Sequence, residues 1–512
     1  MNKEQNEMKN KIVRIKLLVL LAIYLGACTN LDEELYGRLS PNNYYNTPEE
    51  ALSSVVGVYQ KFSSFANIGD VFRPQEFGTD EFFVPGRTSG GWFSQDNIDI
   101  MRHQTAPNNG TILRAWNYVF PMIGTANAVL ESLESSSSAE NFKGLIAETK
   151  AMRAYGYFYA MDLWGNIPIF TDARVDPNNL PATNSRSEVF DFVVTEMLAA
   201  AADLPSVNDV DRAAYYPRLT KEAVYSALAM IYLNAEVYTG TAQWDEVIDM
   251  CDEVINSNAY ALEPRVGDVF LSTNENNREV ILAFSMDPTK NAGDNQFILY
   301  TNPALDKLKY NLPFSPANGY STDTVALNRY EDIDERKDLI EYGPQFYLDG
   351  VTPLADADGN QLVLIQLTSI VAANDDEGFK VVKYSPVGAK WSGFNADNDL
   401  VLMRYADILL MKAEALFRIN NPDDALLLVN EVRERSNAST LNSLTLKDIE
   451  NERAREFIWE GYRRRDMIRF GTYFNSTWSF KDTETPEWRG IYPIPAIQLS
   501  NNPNLEQNPG YN

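Results

Sequence analysis

The 512-residue sequence is poor in the residues from which most catalytic and metal centres are built: it holds one histidine, His103, and two cysteines, Cys28 and Cys251. A zinc site of the His/Cys kind, a Cys-His nucleophilic pair and a Ser-His-Asp triad would each have to recruit His103 or do without it. The polar setting of His103, between Arg102 and Gln104-Thr105, predicts a side chain at the surface or at a pocket edge. Positive charge is also scarce. Lys and Arg total 44 against 71 Asp and Glu, a formal charge of −27, which argues against a nucleic-acid coat or a binder of anionic membrane surfaces. There is no Walker loop and no dinucleotide fingerprint. Asp356-Ala-Asp358-Gly359 has the start of a calcium loop without the later acidic ligand and is read as a turn, so neither a metal nor a cofactor is expected.

What is present is an ordinary globular composition, 45% hydrophobic and 22% charged, behind an unusual N-terminus. Residues 1–16 carry Lys3, Lys9, Lys11, Arg14 and Lys16, and the apolar run Leu17–Leu25 follows. That run is too short to span a bilayer as a helix, which takes about 20 residues, but it has the length of a signal-peptide core. Leu25-Gly26-Ala27-Cys28 resembles a bacterial lipobox. The expectation is therefore a signal peptide over residues 1–27, lipidation of Cys28, and a polar tether over residues 28–47. With Cys28 committed to lipid, Cys251, on the helical stretch Trp244–Ile255, reads as a buried structural thiol.

From Pro48 onward helical periodicity dominates. Thr47-Pro48-Glu49-Glu50 supplies an N-cap, a first-turn proline and first-turn acids. Helices are predicted over 116–133, 145–163, 188–203, 220–239, 243–256, 399–418 and 423–435, and the hairpins 220–256 and 399–435 carry small and aromatic residues as tetratricopeptide (TPR) hairpins do. Residues 70–110 break this pattern with Gly, Pro, aromatics and acids. Residues 260–395 form a loop-rich insertion with a few short strands such as 279–284 and 361–367. The expected class is mainly α: a TPR-like scaffold carrying irregular loops, with an N-terminal part over 48–259 and a C-terminal part over 260–512. The latter comprises the insertion 260–395, a helical segment 396–470 and a tail 471–512, all in one integrated body.

Several segments together resemble the SusD/RagB family of outer-membrane nutrient-binding lipoproteins. They are Ala151–Pro168, with Asn166 where the family carries Asp; Leu402–Ala415, containing Arg404-Tyr405-Ala406-Asp407; Asn430-Glu-Val-Arg433-Glu-Arg435; Glu452–Asp466; and the ending Tyr492–Pro495 with Asn502–Tyr511. The short acidic run Asp32-Glu33-Glu34 is similar to a surface-export signal of lipoproteins in Bacteroidetes-type bacteria. Read physically, these segments are structural. Arg153, Arg404, Arg433 and Arg463 are expected to pair with acids such as Asp407, Glu414 and Glu460, and the pair Glu456/Glu460 is expected to stay ionised among Arg453, Arg455, Arg463 and Arg464.

The resemblance implies a non-catalytic lipoprotein at the cell exterior that captures glycan and hands it to a SusC-like TonB-dependent transporter. Aromatic faces stack on sugar C–H surfaces while amides, carboxylates and arginines pair with hydroxyls. The resemblance places the site in the irregular loops, with Trp92 as the first stacking candidate, Asp80 and Arg87 as polar neighbours, and Tyr320 as a second platform. A surface glycoside hydrolase and a same-fold lipoprotein for peptide uptake are the alternatives.

Overall fold

Every predicted long helix has a counterpart in the computed structural model. The structure describes residues 47–69, 71–287 and 295–511, together with Met8. The expected signal peptide, the lipidated Cys28 and the tether up to residue 46 lie outside the described residues, Met8 apart.

The first helix, α1 (Pro48–Phe62), opens on the predicted cap: Thr47 and Glu50 satisfy one another's backbone N–H groups as a capping box. The long scaffold helices follow as α2 (Gly110–Glu134), α3 (Lys143–Trp164), α4 (Arg186–Asp203), α5 (Lys221–Leu233), α6 (Trp244–Asn256), α7 (Tyr405–Arg418) and α8 (Pro422–Arg435). Each packs on the next, α2 on α3 through α7 on α8, giving the stacked hairpins expected of a TPR-like array. Helix α3 is buried on nearly every face, including Tyr155, Tyr157, Phe158, Tyr159 and Trp164. Two shorter helices, α9 (Leu446–Glu456) and α10 (Arg463–Phe470), close the scaffold. Residues Tyr45–Asn512 form one compact unit.

Where the chain departs from its local signal, tertiary partners decide. Residues 400–404, read as the start of a helix, are instead a strand, β2, paired antiparallel with β1 (Val280–Phe284). The run Leu400-Val-Leu-Met403 has no β signature by itself; its partner lies more than a hundred residues upstream. This two-stranded pair is the neck from which the insertion emerges. Beyond it the strands of the insertion, among the described residues, are two-residue pairs, at 340–341 with 380–381, 343–344 with 363–364, and 391–392 with 395–396.

A buried ion network ties neck, insertion and scaffold together. Arg404, fully buried at the end of β2, donates to Glu279 (2.7 Å), Glu456 (2.6 Å) and Glu460 (2.8 Å). Arg336 of the insertion donates to Asp334, Glu452 and Glu456, and Arg435 of α8 to Glu279 and Glu456. The pair Arg404–Glu460 was expected, but other partners differ: Arg153 meets Glu196, Arg433 meets Glu452 and Glu331, Arg463 meets Asp80, Asp407 meets Arg453, and Glu414 meets Arg469 and Arg418. Burial raises the Glu456 carboxyl, but Arg435, Arg404 and Arg336 overcome it and hold the group well below the usual range. Those cations, rather than its sequence neighbours, keep it ionised.

His103 is a second correction. It is buried, stacked on Tyr473 with ring centroids 4.0 Å apart, with Nε2 2.8 Å from the Gly78 carbonyl and Nδ1 2.6 Å from the Thr485 hydroxyl. Its polar sequence neighbours do not cover it; the C-terminal tail does. Cys251 is a free, buried thiol on α6, as expected.

Candidate functional site

The irregular segment 78–94 is knitted into the insertion by backbone bonds. Phe83 and Ser321 exchange both N–H···O bonds, Thr322 and Phe379 do the same, and Gly86 and Thr88 donate to Ile370 and Ala373. Five side-chain hydrogen bonds, four from Arg87 and one from Trp92, then fix one corner of a cleft.

 The four are those of the Arg87 guanidinium, which donates to the carbonyls of Asn318 (2.9 Å), Asn374 (2.8 Å) and Glu377 (2.8 Å) and to the Ser321 hydroxyl (2.8 Å). Arg87 is buried, and that burial pulls its basicity down to about 10 even with Asp375, Glu377 and Asp376 nearby. It is a clamp between two loops.

The fifth bond belongs to Trp92, whose Nε1 donates to the Ala317 carbonyl at 2.7 Å. Two glycines with positive φ, Gly90 and Gly91, turn the chain into Trp92, which itself adopts φ +62°, a conformation that costs a bulky residue energy. The half-buried indole lies across Gly319, edge-on to Tyr300 (5.3 Å between centroids) and tilted against Tyr320 (5.4 Å). Tyr320 is fully buried beneath it among Phe77, Phe82 and Trp459. The expectation of Tyr320 as a second platform is therefore corrected: its ring has no open face and serves as the bed on which Trp92 rests.

Asp80 lies apart from this cleft. It accepts from Arg463 (2.7 and 2.8 Å) and forms an ion pair with Arg329 (2.6 Å); against burial, which would raise it, these two cations hold its carboxyl below the usual range. With Glu81, fully buried and also paired with Arg329, it joins the insertion to α10.

The cleft beside Trp92 encloses about 430 Å³ and is lined by Arg87, Ser89, Ala317, Asn318, Asp375 and Asp376, among others. Asn318 is buried, its Nδ2 donates to the Asp375 carbonyl, and its Oδ1 accepts no hydrogen bond among the described residues. Ser89 donates to Asp375 at 2.7 Å. Asp356 stands on the rim, in a turn where its side chain accepts from the N–H groups of Asp358 and Asn360. The arrangement offers carboxylates, an amide and a hydroxyl beside a partly exposed indole. It suits a neutral, polyhydroxylated ligand better than an anion. Among the described residues no group of three or more His, Cys, Asp or Glu is placed to hold a metal ion.

Sequence reasoning placed Trp92 and Arg87 in this region but missed Asn318, Asp375 and Asp376. The signal was present in part: Asn374-Asp375-Asp376-Glu377-Gly378 is an acidic turn, and Asn318 precedes the Gly319-Tyr320 pair. That they converge is set by pairing between distant loops.

Comparison with known proteins identifies the class. The model described as "SusD family" matches residues 366–511, and the model described as "Starch-binding associating with outer membrane" matches residues 51–233. The starch-binding protein SusD of Bacteroides thetaiotaomicron is 26% identical, over 86% of this chain and 85% of its own. A SusD-like protein, P38, of Formosa agariphila is 24% identical over 98% of this chain and all of its own. Among solved structures, surface glycan-binding protein A from Bacteroides thetaiotaomicron in complex with laminarihexaose superposes with a TM-score of 0.75 at 21% identity, covering 90% of this chain and 99% of that one. A laminarin-binding SusD-like protein gives 0.74 at 21% identity, covering 91% of this chain and all of that one. Over these two segments, residues 51–233 and 366–511, the chain is similar to the SusD/RagB family.

Proposed function

We propose that this protein is a surface-exposed outer-membrane lipoprotein that binds glycan in the cleft beside Trp92 and delivers it to a SusC-like TonB-dependent transporter without breaking a bond. The observation that carries the reading is the cleft itself, lined by hydrogen-bonding groups and adjoining a partly exposed indole that is held by Ala317, Gly319 and Tyr320. Rigid aromatic surface with convergent polar groups suits saccharide recognition. Relatives named for starch binding and for laminarin binding support the same ligand class. In this reading residues 1–27 are the export signal, Cys28 carries the lipid, and residues 28–47 tether the body.

The test is isothermal titration of a soluble Cys28→Ser form lacking residues 1–27 with laminarihexaose and maltohexaose, followed by chromatography of the sugar. Saturable binding with the oligosaccharide recovered intact is expected. Shorter products would establish a hydrolase, and peptide binding with no saccharide binding would establish the uptake of peptides.

A further inference from the structure

A second cleft, of about 300 Å³, lies elsewhere on the insertion. Its lining combines the aromatic residues Tyr342 and Phe346 with Lys309, Lys337, Asp338 and Glu341. Tyr342 is 44% exposed and Phe346 36%, yet neither hangs free of structure. The Tyr342 ring packs against Phe379 with centroids 6.0 Å apart, and Phe346 sits in a backbone bridge opposite Pro353. Between them Pro344 pairs with Val363. Gly343, with φ +67°, turns the chain between Tyr342 and Pro344, and Tyr342, Pro344 and Phe346 all line this cleft.

The floor is polar. Glu341 accepts on Oε1 from the Lys309 ammonium and from the Tyr310 hydroxyl (3.3 Å), while its Oε2 is served by no donor among the described residues. Glu341 is 9% exposed, and a buried acceptor without a donor calls for one. Two cations and two carboxylates balance, unlike the cleft beside Trp92, where three carboxylates, Asp356, Asp375 and Asp376, outnumber Arg87. Flat aromatic surface, balanced charge and an unserved acceptor together favour a hydroxyl-rich neutral ligand over an apolar or an ionic one.

We propose that the Tyr342–Phe346 cleft is a second saccharide subsite, taking one or two sugar units of the glycan whose main contact is the cleft beside Trp92. This rests on the glycan-binding reading above. The two clefts share one ribbon: Leu362 lines the first, and the next residue, Val363, stands opposite Pro344, which lines the second. A long chain or two branches reaching along this ribbon engage both clefts. Linked weak contacts raise avidity for a polymer far beyond either alone.

The test is affinity electrophoresis of the soluble form through gels containing laminarin or soluble starch, comparing wild type, Tyr342→Ala/Phe346→Ala and Trp92→Ala. Thermal unfolding confirms that each variant is folded, and Phe346→Ala alone serves if the double variant is not. The subsite predicts about a tenfold loss of polymer affinity in the double variant. Wild-type retardation in that variant, with loss only in Trp92→Ala, overturns the subsite and leaves the glycan reading standing. Absence of retardation for wild type in both gels, with no binding of either hexasaccharide, overturns both.

Discussion

Gly319 lies so close beneath the indole of Trp92 that a Cβ at this position would collide with the ring. The φ of Gly319 is not in the left-handed region, so an alanine there is strained only by that contact. Gly319→Ala is expected to lift Trp92 from its bed on Tyr320 and to lower saccharide affinity by about tenfold, or ~1.4 kcal/mol. Titration calorimetry checks it, with circular dichroism showing the helical content unchanged.

The neck of the insertion depends on Arg404. Arg404→Leu removes the shared donor of Glu279, Glu456 and Glu460 and leaves buried carboxylates under-compensated. Breaking a buried pair on one side costs about 3–5 kcal/mol. Urea unfolding of the soluble form should show a loss of this size, and an unchanged midpoint would contradict the structural role given to the network.

His103 is the chain's one histidine, so its imidazole signals can be followed by NMR without assignment. Burial holds its pKa at about 3, against an unfolded value near 6.5. Between these values the unfolded chain binds a proton that the native one does not. The stability this contributes is full above about pH 6.5 and is lost as pH falls toward 3. Glu452 acts lower: burial raises it, but Arg336, Arg455 and Arg433 bring it to about 2, so its contribution is lost as pH falls from about 4 toward 2. The expected result is an imidazole that stays neutral at pH 5 in the folded protein and a stability that declines from pH 6.5 downward.

How far these features were legible in the sequence depends on how local their causes are. Helices such as Gly110–Glu134 and Lys143–Trp164 follow from apolar periodicity, and Thr47 and Glu50 announce the start of Pro48–Phe62. The strand Leu400–Arg404 was hidden because its partner, Val280–Phe284, is far upstream. His103 was misplaced for the same reason: Tyr473 and Thr485, which bury it, lie more than 350 residues away. In the candidate site, aromatic and polar residue types marked the right loops. Which ring is open and which lies beneath, Trp92 over Tyr320, is decided by packing between loops that sequence spacing does not relate.

Cys251 is fully buried on α6, and burial raises its thiol well above the ordinary range. In the Cys28→Ser form it should resist Ellman's reagent in buffer and react fully in denaturant. Fast reaction under native conditions would show that α6 opens.

Glycan binding in the cleft beside Trp92 is tested most directly by a crystal structure with the saccharide that titration identifies. The expected result is a sugar ring stacked against Trp92, with hydroxyls in hydrogen-bonding distance of Asn318, Asp375 or Asp376. A saccharide bound elsewhere on the chain, with the cleft beside Trp92 empty, would contradict it.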